Sequence, residues 1–192
     1  MKEIYIKEDD ISDIDKLDEY NKEYSIYPTF TPFATPENYA QIIENNQKLK
    51  MGIGNHGLKE IFYWAIEGNK IIGHASIRIN PEIDESILKY AGHIMYGVVP
   101  SKRGQGIGSI ICHLLIKEMK KLGYQALIIT CSEDNIASSK VIEHNGGIYL
   151  ETVKPDGFNT TKNTKRYLIN VDQSLDYYNH KFVEKESQKK IR

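Results

Sequence analysis

The sequence contains little cysteine and no long apolar run. Its 192 residues include two cysteines, Cys112 and Cys131, and no Cys-x-x-Cys pair. This pattern argues against a disulfide framework and against a zinc site, so we expect no bound metal. No stretch is apolar for long enough to span a bilayer, and the first residues lack the apolar segment of a signal peptide. The sequence therefore predicts a cytoplasmic protein without a membrane partner.

The chain also has no large excess of positive or negative charge. The formal net charge is -1, which argues against the basic surface of a nucleic-acid-binding protein. Hydrophobic residues make up 40% of the chain, enough for a sizeable core. The length fits one domain with an appendage. We expect one globular domain over residues 1–172 and a polar, partly helical tail over residues 173–192.

Hydrophobic spacing and turn residues predict helices and strands along the whole domain. Two helices come first, from Ile11 to Tyr24 with Ser12 as N-cap, and from Thr35 to about Leu49. A helical turn is expected near 86–88 within the connection 82–92, and further helices at 107–122 and 136–144. Strands are expected at 3–7, 61–66, 71–79, 93–99, 124–130, 148–153 and 165–171. The apolar run in the strand at 124–130 indicates burial on both of its faces. This order implies a mixed sheet with helices on both sides.

The stretch from Val98 to Ser109 carries the clearest functional pattern. A β-branched strand ends at Pro100, glycines follow at 104, 106 and 108, and a helix with one apolar face begins at once. Free N–H groups in the first helical turn and the helix dipole favour an anion there, and glycines let a phosphate approach the backbone. The guanidinium of Arg103 adds a fork suited to phosphate oxygens. The stretch therefore predicts a phosphate-binding turn.

Two common phosphate sites do not fit this turn. A phosphate-binding loop of nucleoside triphosphatases needs a lysine after its last glycine, and Ser109 stands there instead. A dinucleotide site needs Gly-x-Gly-x-x-Gly, whereas the glycines here follow a Gly-x-Gly-x-Gly pattern. A third kind of site remains open, one that binds the pyrophosphate of another cofactor.

Arg103-x-x-Gly106-x-Gly108 resembles the acyl-coenzyme A pyrophosphate loop of the GNAT N-acetyltransferase superfamily. A second block, from Thr130 to Gly147, is similar to the following strand, Asn-led helix and glycine turn of that superfamily. The resemblance extends from about Ile61 to Val171. It implies an α/β fold with a mixed, mostly antiparallel sheet of six to seven strands flanked by helices. Two central parallel strands of that sheet splay apart at the acyl-CoA site.

The resemblance also implies which residues bind the cofactor, acetyl-CoA. The pyrophosphate would lie against Arg103 and the N–H groups of the turn, which are those of Gly104, Gln105, Gly106, Ile107, Gly108 and Ser109. The backbone of Val98 and Val99 would pair with the pantetheine arm. Asn135 would contact the same arm while capping the next helix, and Ser138 lies one turn further along.

The catalytic groups are less well indicated. Many enzymes of the superfamily use a tyrosine in the second helix as general acid, seven residues after the Asn, and here that residue is Ile142. Tyr96 and His93 are therefore our main candidates for proton transfer, and the N–H groups near Tyr96 would bind the developing oxyanion. Their odd spacing puts the two side chains on opposite strand faces. Weaker candidates are Cys131, His74 and Glu85.

We therefore expect an acetyl-CoA-dependent N-acetyltransferase that acts by direct transfer in a ternary complex. The acceptor would be a small molecule or another amino group, covered by the first two helices and the aromatic loop Tyr24 to Phe33. A homodimer is compatible with the resemblance. Two alternatives stay open: a transferase that uses another acyl-CoA, and a non-catalytic acyl-CoA sensor or interaction module, suggested by Ile142.

Overall fold

A computed structural model describes residues 3–27, 34–156, 161–178 and 180. The strands are β1 (Ile4–Glu8), β2 (Glu60–Glu67), β3 (Lys70–Arg78), β4 (Ile94–Val98), β5 (Ala126–Ser132), β6 (Ile148–Val153) and β7 (Thr164–Asn170). The α-helices are α1 (Leu17–Tyr24), α2 (Tyr39–Lys50), α3 (Glu85–Tyr90), α4 (Ile107–Lys121) and α5 (Ile136–His144), with residues 171–178 also helical. In this part of the chain, no helix is both long and apolar enough to cross a membrane.

The strands form two antiparallel sheets that meet at β4 and β5. The first sheet has the order β1-β2-β3-β4 and the second the order β5-β7-β6. Next to β4, the N–H of His93 donates to the carbonyl of Ile128 in β5 at 2.8 Å, and beyond this link the two strands belong to separate sheets. The predicted GNAT-like fold is confirmed, with seven strands in the described residues.

Helix α4 fills one face of the first sheet. Its side chains at Ile107, Ile111, Leu115 and Met119 repeat every fourth residue and are all buried, which is the apolar stripe expected for a helix packed on a sheet. Gly73 of β3 lets this helix approach, because a Cβ there would lie 3.1 Å from Ile111 Cδ1. The opposite face of the sheet is covered by α1 and α2.

Three local predictions need correction. The first helical segment is capped by Asp10, whose extended backbone lets its Oδ1 accept from the N–H of Ser12 at 2.8 Å. The second helix begins at Tyr39, because the Asn38 side chain closes a turn on the N–H of Thr35. Strand β5 is buried on one face only, since it borders the gap beside β4 and its alternate residues stay half-exposed.

Some predictions fall outside the described residues. These are the part of the aromatic loop at residues 28–33 and the tail at 181–192. The helical residues 171–178 lie against the domain: Ser174 Oγ donates to the carbonyl of Asn145 at 2.6 Å, and Tyr178 stacks on His113 of α4 with ring centroids 3.8 Å apart. The proposed division at residue 172 stays a prediction.

The stacked His113 should make stability depend on pH. Its side chain is buried, and burial lowers the pKa of His113 to about 4. Between that value and the usual 6.5 the unfolded chain binds the proton and the folded chain does not, so stability falls as the pH falls through this window. The free energy of unfolding should fall between pH 7 and 4.5 in the wild type. In His113→Phe we expect this fall to be smaller by up to ~2 kcal/mol.

Urea unfolding at several pH values measures this difference. The matched control is His144→Phe, which replaces an exposed histidine at the end of α5. An equal pH dependence in the wild type and in His113→Phe would contradict the assignment.

Candidate cofactor and acceptor sites

A cavity of about 370 Å³ lies in the gap between β4 and β5. It brings together four of the predicted residues, Tyr96, Cys131, Asn135 and Ser138, beside Thr130. They converge because β4 carries Tyr96, β5 ends at Ser132, and α5 begins directly after Asn135. The sequence block from 130 to 138 thus forms one wall of the gap, opposite Tyr96.

Hydrogen bonds hold this wall in place. The Asn135 Oδ1 accepts from the N–H of Ser138 at 3.0 Å, as an N-cap does. The Ser138 Oγ in turn lies 2.9 Å from the Tyr96 hydroxyl. Burial raises the pKa of Tyr96 far above its ordinary value, so the hydroxyl keeps its proton at neutral pH. Tyr96 can therefore donate a hydrogen bond into the gap.

Ile142 stands where many enzymes of the superfamily have a tyrosine, and it is not among the residues that line the gap. Ile142 is fully buried and lies so close to Gly147 that a Cβ there would be 2.4 Å from Ile142 Cγ2. This residue therefore packs in the core beneath α5. Cys131 lines the gap, but burial raises the pKa of its thiol, which disfavours the thiolate.

The turn before α4 presents free backbone donors. Gly104 and Gly106 have φ of 73° and 80°, a conformation that favours glycine. Gly106 caps α4 without a side-chain bond, and within the described residues the N–H groups of Gly104–Gly108 form no hydrogen bond. Nothing lies within 4 Å of the built Cβ positions of Gly104 and Gly106. The turn is therefore open to an anion, while the side chains of Ile107 and Ser109 are buried.

Arg103 lies against the end of α1. Its Nε donates to the carbonyl of Val98 at 3.0 Å, and a guanidinium N–H donates to the hydroxyl of Tyr27. The guanidinium carbon is 5.9 Å from the ring centre of Tyr24 and 5.6 Å from that of Tyr27, within cation–π range. The arginine is exposed, so it borders the turn while aromatic rings hold it.

The two predicted valines differ in what they offer. The N–H of Val99 donates to Ile72 in β3 at 3.0 Å and its side chain is buried. Since alternate residues of a strand bond to the same neighbour, the backbone groups of Tyr96 and Val98 face the gap. Val98 and Tyr96 therefore carry the backbone donors that are open to a ligand.

His93 bridges the two sheets. Its ring is buried, and its Nδ1 accepts from the N–H of Ile128 at 3.0 Å. The ring also packs on Tyr124 with centroids 5.5 Å apart. Burial lowers the pKa of His93. This direction is consistent with a neutral ring whose Nδ1 accepts a hydrogen bond from a backbone N–H. His93 therefore lies at the junction of the two sheets, and its Nδ1 already accepts a hydrogen bond.

A second cavity, of about 300 Å³, lies on the other side of the first sheet under α1 and α2. Apolar and aromatic side chains dominate its lining: Tyr20, Ile42, Phe62, Trp64 and Met95. Met95 also lines the gap beside β5, so one side chain borders both cavities. Sequence analysis did not identify this cavity, because its residues come from α1, α2, β2, β3 and β4 and form no local pattern.

His74 and Tyr20 form a hydrogen-bonded pair in this cavity. The Tyr20 hydroxyl lies 2.7 Å from His74 Nδ1. The other edge of the ring rests on Gly97 of β4, where a Cβ would be 2.4 Å from His74 Cε1 and 2.5 Å from Nε2. Burial, with a smaller contribution from the charge of Arg103, lowers the pKa of His74. A neutral imidazole therefore faces β4 with its Nε2.

Comparison with known proteins agrees with this geometry. The family model described as Acetyltransferase (GNAT) family matches residues 17–146. The mycothiol acetyltransferase of Geodermatophilus obscurus is 24% identical over 85 residues, which cover 44% of this chain and 28% of that protein. The match thus spans less than a third of the length of this curated relative.

Solved structures show the same fold. RimL, a ribosomal L7/L12 alpha-N-protein acetyltransferase in complex with coenzyme A, matches with a TM-score of 0.63 and 21% identity over 88% of this chain and 94% of that one. The ribosomal-protein-S5-alanine acetyltransferase from Vibrio fischeri gives a TM-score of 0.64 and 16% identity over 90% and 95%. At these identities the likeness concerns the fold.

The contact between Gly97 and His74 is open to a stability test. Because a methyl group at Gly97 would overlap the imidazole, we expect Gly97→Ala to lower the free energy of unfolding by about 1–3 kcal/mol. In a His74→Ala background the same substitution should be tolerated, since the overlapping ring is gone. Urea unfolding of the four proteins gives the coupling energy. An equal loss in both backgrounds would show that the ring does not occupy this position.

Proposed function

The chain belongs to the acetyltransferase (GNAT) family, and from this premise we propose that it transfers an acetyl group from acetyl-CoA to an amine in a ternary complex. The observation that carries the proposal is the pair of cavities joined at Met95. One cavity lies beside β4, the strand that leads into the turn before α4, and the other is enclosed by α1 and α2. A thioester in the first and an amine in the second would meet at β4.

The residues of the turn before α4 and of the first cavity fit acetyl-CoA. The free N–H groups of Gly104–Gly108 and the N-terminus of α4 suit its pyrophosphate. The open edge of β4 offers the backbone groups of Tyr96 and Val98 to the peptide-like pantetheine arm. Asn135 and Ser138 border the same gap. Acetyl-CoA supplies the activated acyl group as a co-substrate.

The proposed transfer needs two proton movements. The amine nitrogen attacks the thioester carbon, the C–S bond breaks, and the proton lost by the amine passes to Nε2 of His74. The N–H groups facing the gap stabilise the oxyanion of the intermediate. The leaving thiolate accepts a hydrogen bond from the Tyr96 hydroxyl and takes its proton from solvent. His74 replaces His93 as the base in this scheme, because Nδ1 of His93 accepts from Ile128.

Cofactor binding gives the first test. We expect Gly106→Val to weaken acetyl-CoA binding at least tenfold, because a branched side chain would fill the space that the pyrophosphate needs. The matched control is Gly123→Val at the other end of α4. Gly123 also has a positive φ, of 90°, and an open Cβ position, so it carries similar backbone strain away from the turn.

Calorimetry measures both affinities. Equal weakening by the two substitutions, or none by Gly106→Val, would contradict the cofactor assignment. Thiol release with an amine panel then separates an acetyltransferase from an acyl-CoA sensor, which would bind the cofactor without turnover. Assays with longer acyl-CoA donors test the third alternative.

The pH dependence of turnover tests the base. His74 must be neutral to accept a proton, so the rate should rise with pH through its pKa, and burial places that limb below the usual 6.5. We expect His74→Gln to lower kcat about 10²–10⁴-fold and to remove this limb. Tyr20→Phe should shift the limb with a smaller loss, since Tyr20 only positions the ring. The control is Tyr167→Phe, at a buried tyrosine of β7 that lines neither cavity. An unchanged limb in His74→Gln would exclude His74 as the base.

A further inference from the structure

Within the described residues, the two carboxylates that are buried, those of Asp13 and Glu60, are each paired with a cation. Asp13 is fully buried and lies 3.0 Å from Lys7 Nζ and 2.7 Å from Lys16 Nζ. Glu60, also buried, lies 3.1 Å from an Arg78 guanidinium nitrogen. This pairing is expected, because a buried charge is costly without a partner of opposite sign.

Asp9 has no ion pair of this kind with any described residue. This half-buried residue follows β1, and its carboxylate accepts a hydrogen bond from the side-chain amide of Asn46 in α2. Among the described residues no lysine, arginine or histidine is paired with it. The nearest cations are engaged elsewhere, since Lys7 bonds to Asp13 and Lys50 to Glu8. Burial raises the pKa of Asp9, as expected for a carboxylate without a counter-ion.

Asp9 also borders the cavity that we assign to the acceptor. It lines that cavity at the end away from Met95, together with Asn46 and Phe62. The same three residues line a surface depression whose other charged residues are two acids, Glu8 and Asp10, and two lysines, Lys7 and Lys50. The acceptor cavity thus has a carboxylate near its outer end, aromatic and aliphatic walls along its length, and the proposed acetyl donor at its inner end.

We propose that the acceptor is an elongated small molecule with two amino groups, one placed for acetylation at Met95 and the other bound as an ammonium ion by Asp9. This inference rests on the proposed function and names the substrate class of its acceptor site. The ammonium ion supplies the missing charge partner, and the apolar spacer packs on Phe62 and Trp64.

Strand pairing sets the separation of the two amino groups. Asp9 donates its N–H to the carbonyl of Phe62, Phe62 lies opposite Ser76, and Ser76 lies opposite Met95. Three strand spacings amount to about 14 Å between the backbones of Asp9 and Met95. The Asp9 side chain and the acetyl group each shorten this distance, so the diamine itself should be shorter than the full span.

The test compares linear α,ω-diamines with monoamines of the same chain length. We expect the wild type to prefer a diamine with about six to ten methylene groups, a length that fits within the 14 Å span. In Asp9→Asn the ratio of kcat/KM for that diamine to kcat/KM for its monoamine should fall about 10- to 100-fold. Asp18→Asn, which removes the same charge from an exposed position of α1, should keep the wild-type ratio.

Three results would overturn the inference: an equal rate with diamine and monoamine in the wild type, an Asp9→Asn ratio like that of the wild type, or acetylation of a peptide amine without any of a diamine. If the protein binds acetyl-CoA but acetylates no amine, the proposed function fails first. In that case, calorimetry of the diamine with the coenzyme A complex of the protein still tests the ammonium site at Asp9. Binding that is lost in Asp9→Asn supports the ammonium site, and the absence of wild-type binding excludes it. Melting temperatures of the variants verify that each is folded.

Discussion

Everything in the site depends on how two neighbouring strands are allowed to separate. A strand that leaves its neighbour exposes N–H and C=O groups that must find other partners. Here the His93 backbone and imidazole bond to Ile128 at the last point of contact. Beyond it, the edge of β4 faces a cavity instead of a strand. The missing strand leaves hydrogen-bonding groups for a ligand with an extended, amide-containing arm, so the binding site is a consequence of incomplete sheet pairing.

The same gap makes β4 a partition between two chemical environments. On one side lie Tyr96 and the polar wall of α5, which suit a thioester and its leaving group. On the other side lie His74 and an aromatic cavity, which suit an amine. Because Gly97 has no side chain, the His74 ring lies directly on β4. Acceptor and donor can thus be brought together across a single strand, while their binding sites remain separate.

The parts of the site that are local in sequence could be predicted, and the parts that depend on tertiary contacts could not. The glycine turn and the Asn135 cap are set by backbone conformation within a few residues, so their pattern was readable, and α5 has the predicted bounds. The acceptor cavity joins Asp9, Tyr20, Asn46 and His74, which no spacing rule connects. His93 was a reasonable candidate base from its residue type, but only the fold shows that Ile128 already occupies its Nδ1. The one-sided burial of β5 likewise follows from the gap, which an apolar run does not reveal.

The contacts between Arg103 and two tyrosine rings connect the proposed cofactor site with the proposed acceptor site. Tyr24 and Tyr27, at the end of the helix that covers the acceptor cavity, hold the guanidinium that borders the phosphate-binding turn. In the proposed function, a pyrophosphate that binds this guanidinium competes with those rings, and cofactor binding would then change the free energy of the segment around Tyr27. Linkage is reciprocal. Any molecule that holds this segment in one position alters the affinity for the cofactor by the same factor as the cofactor alters its own.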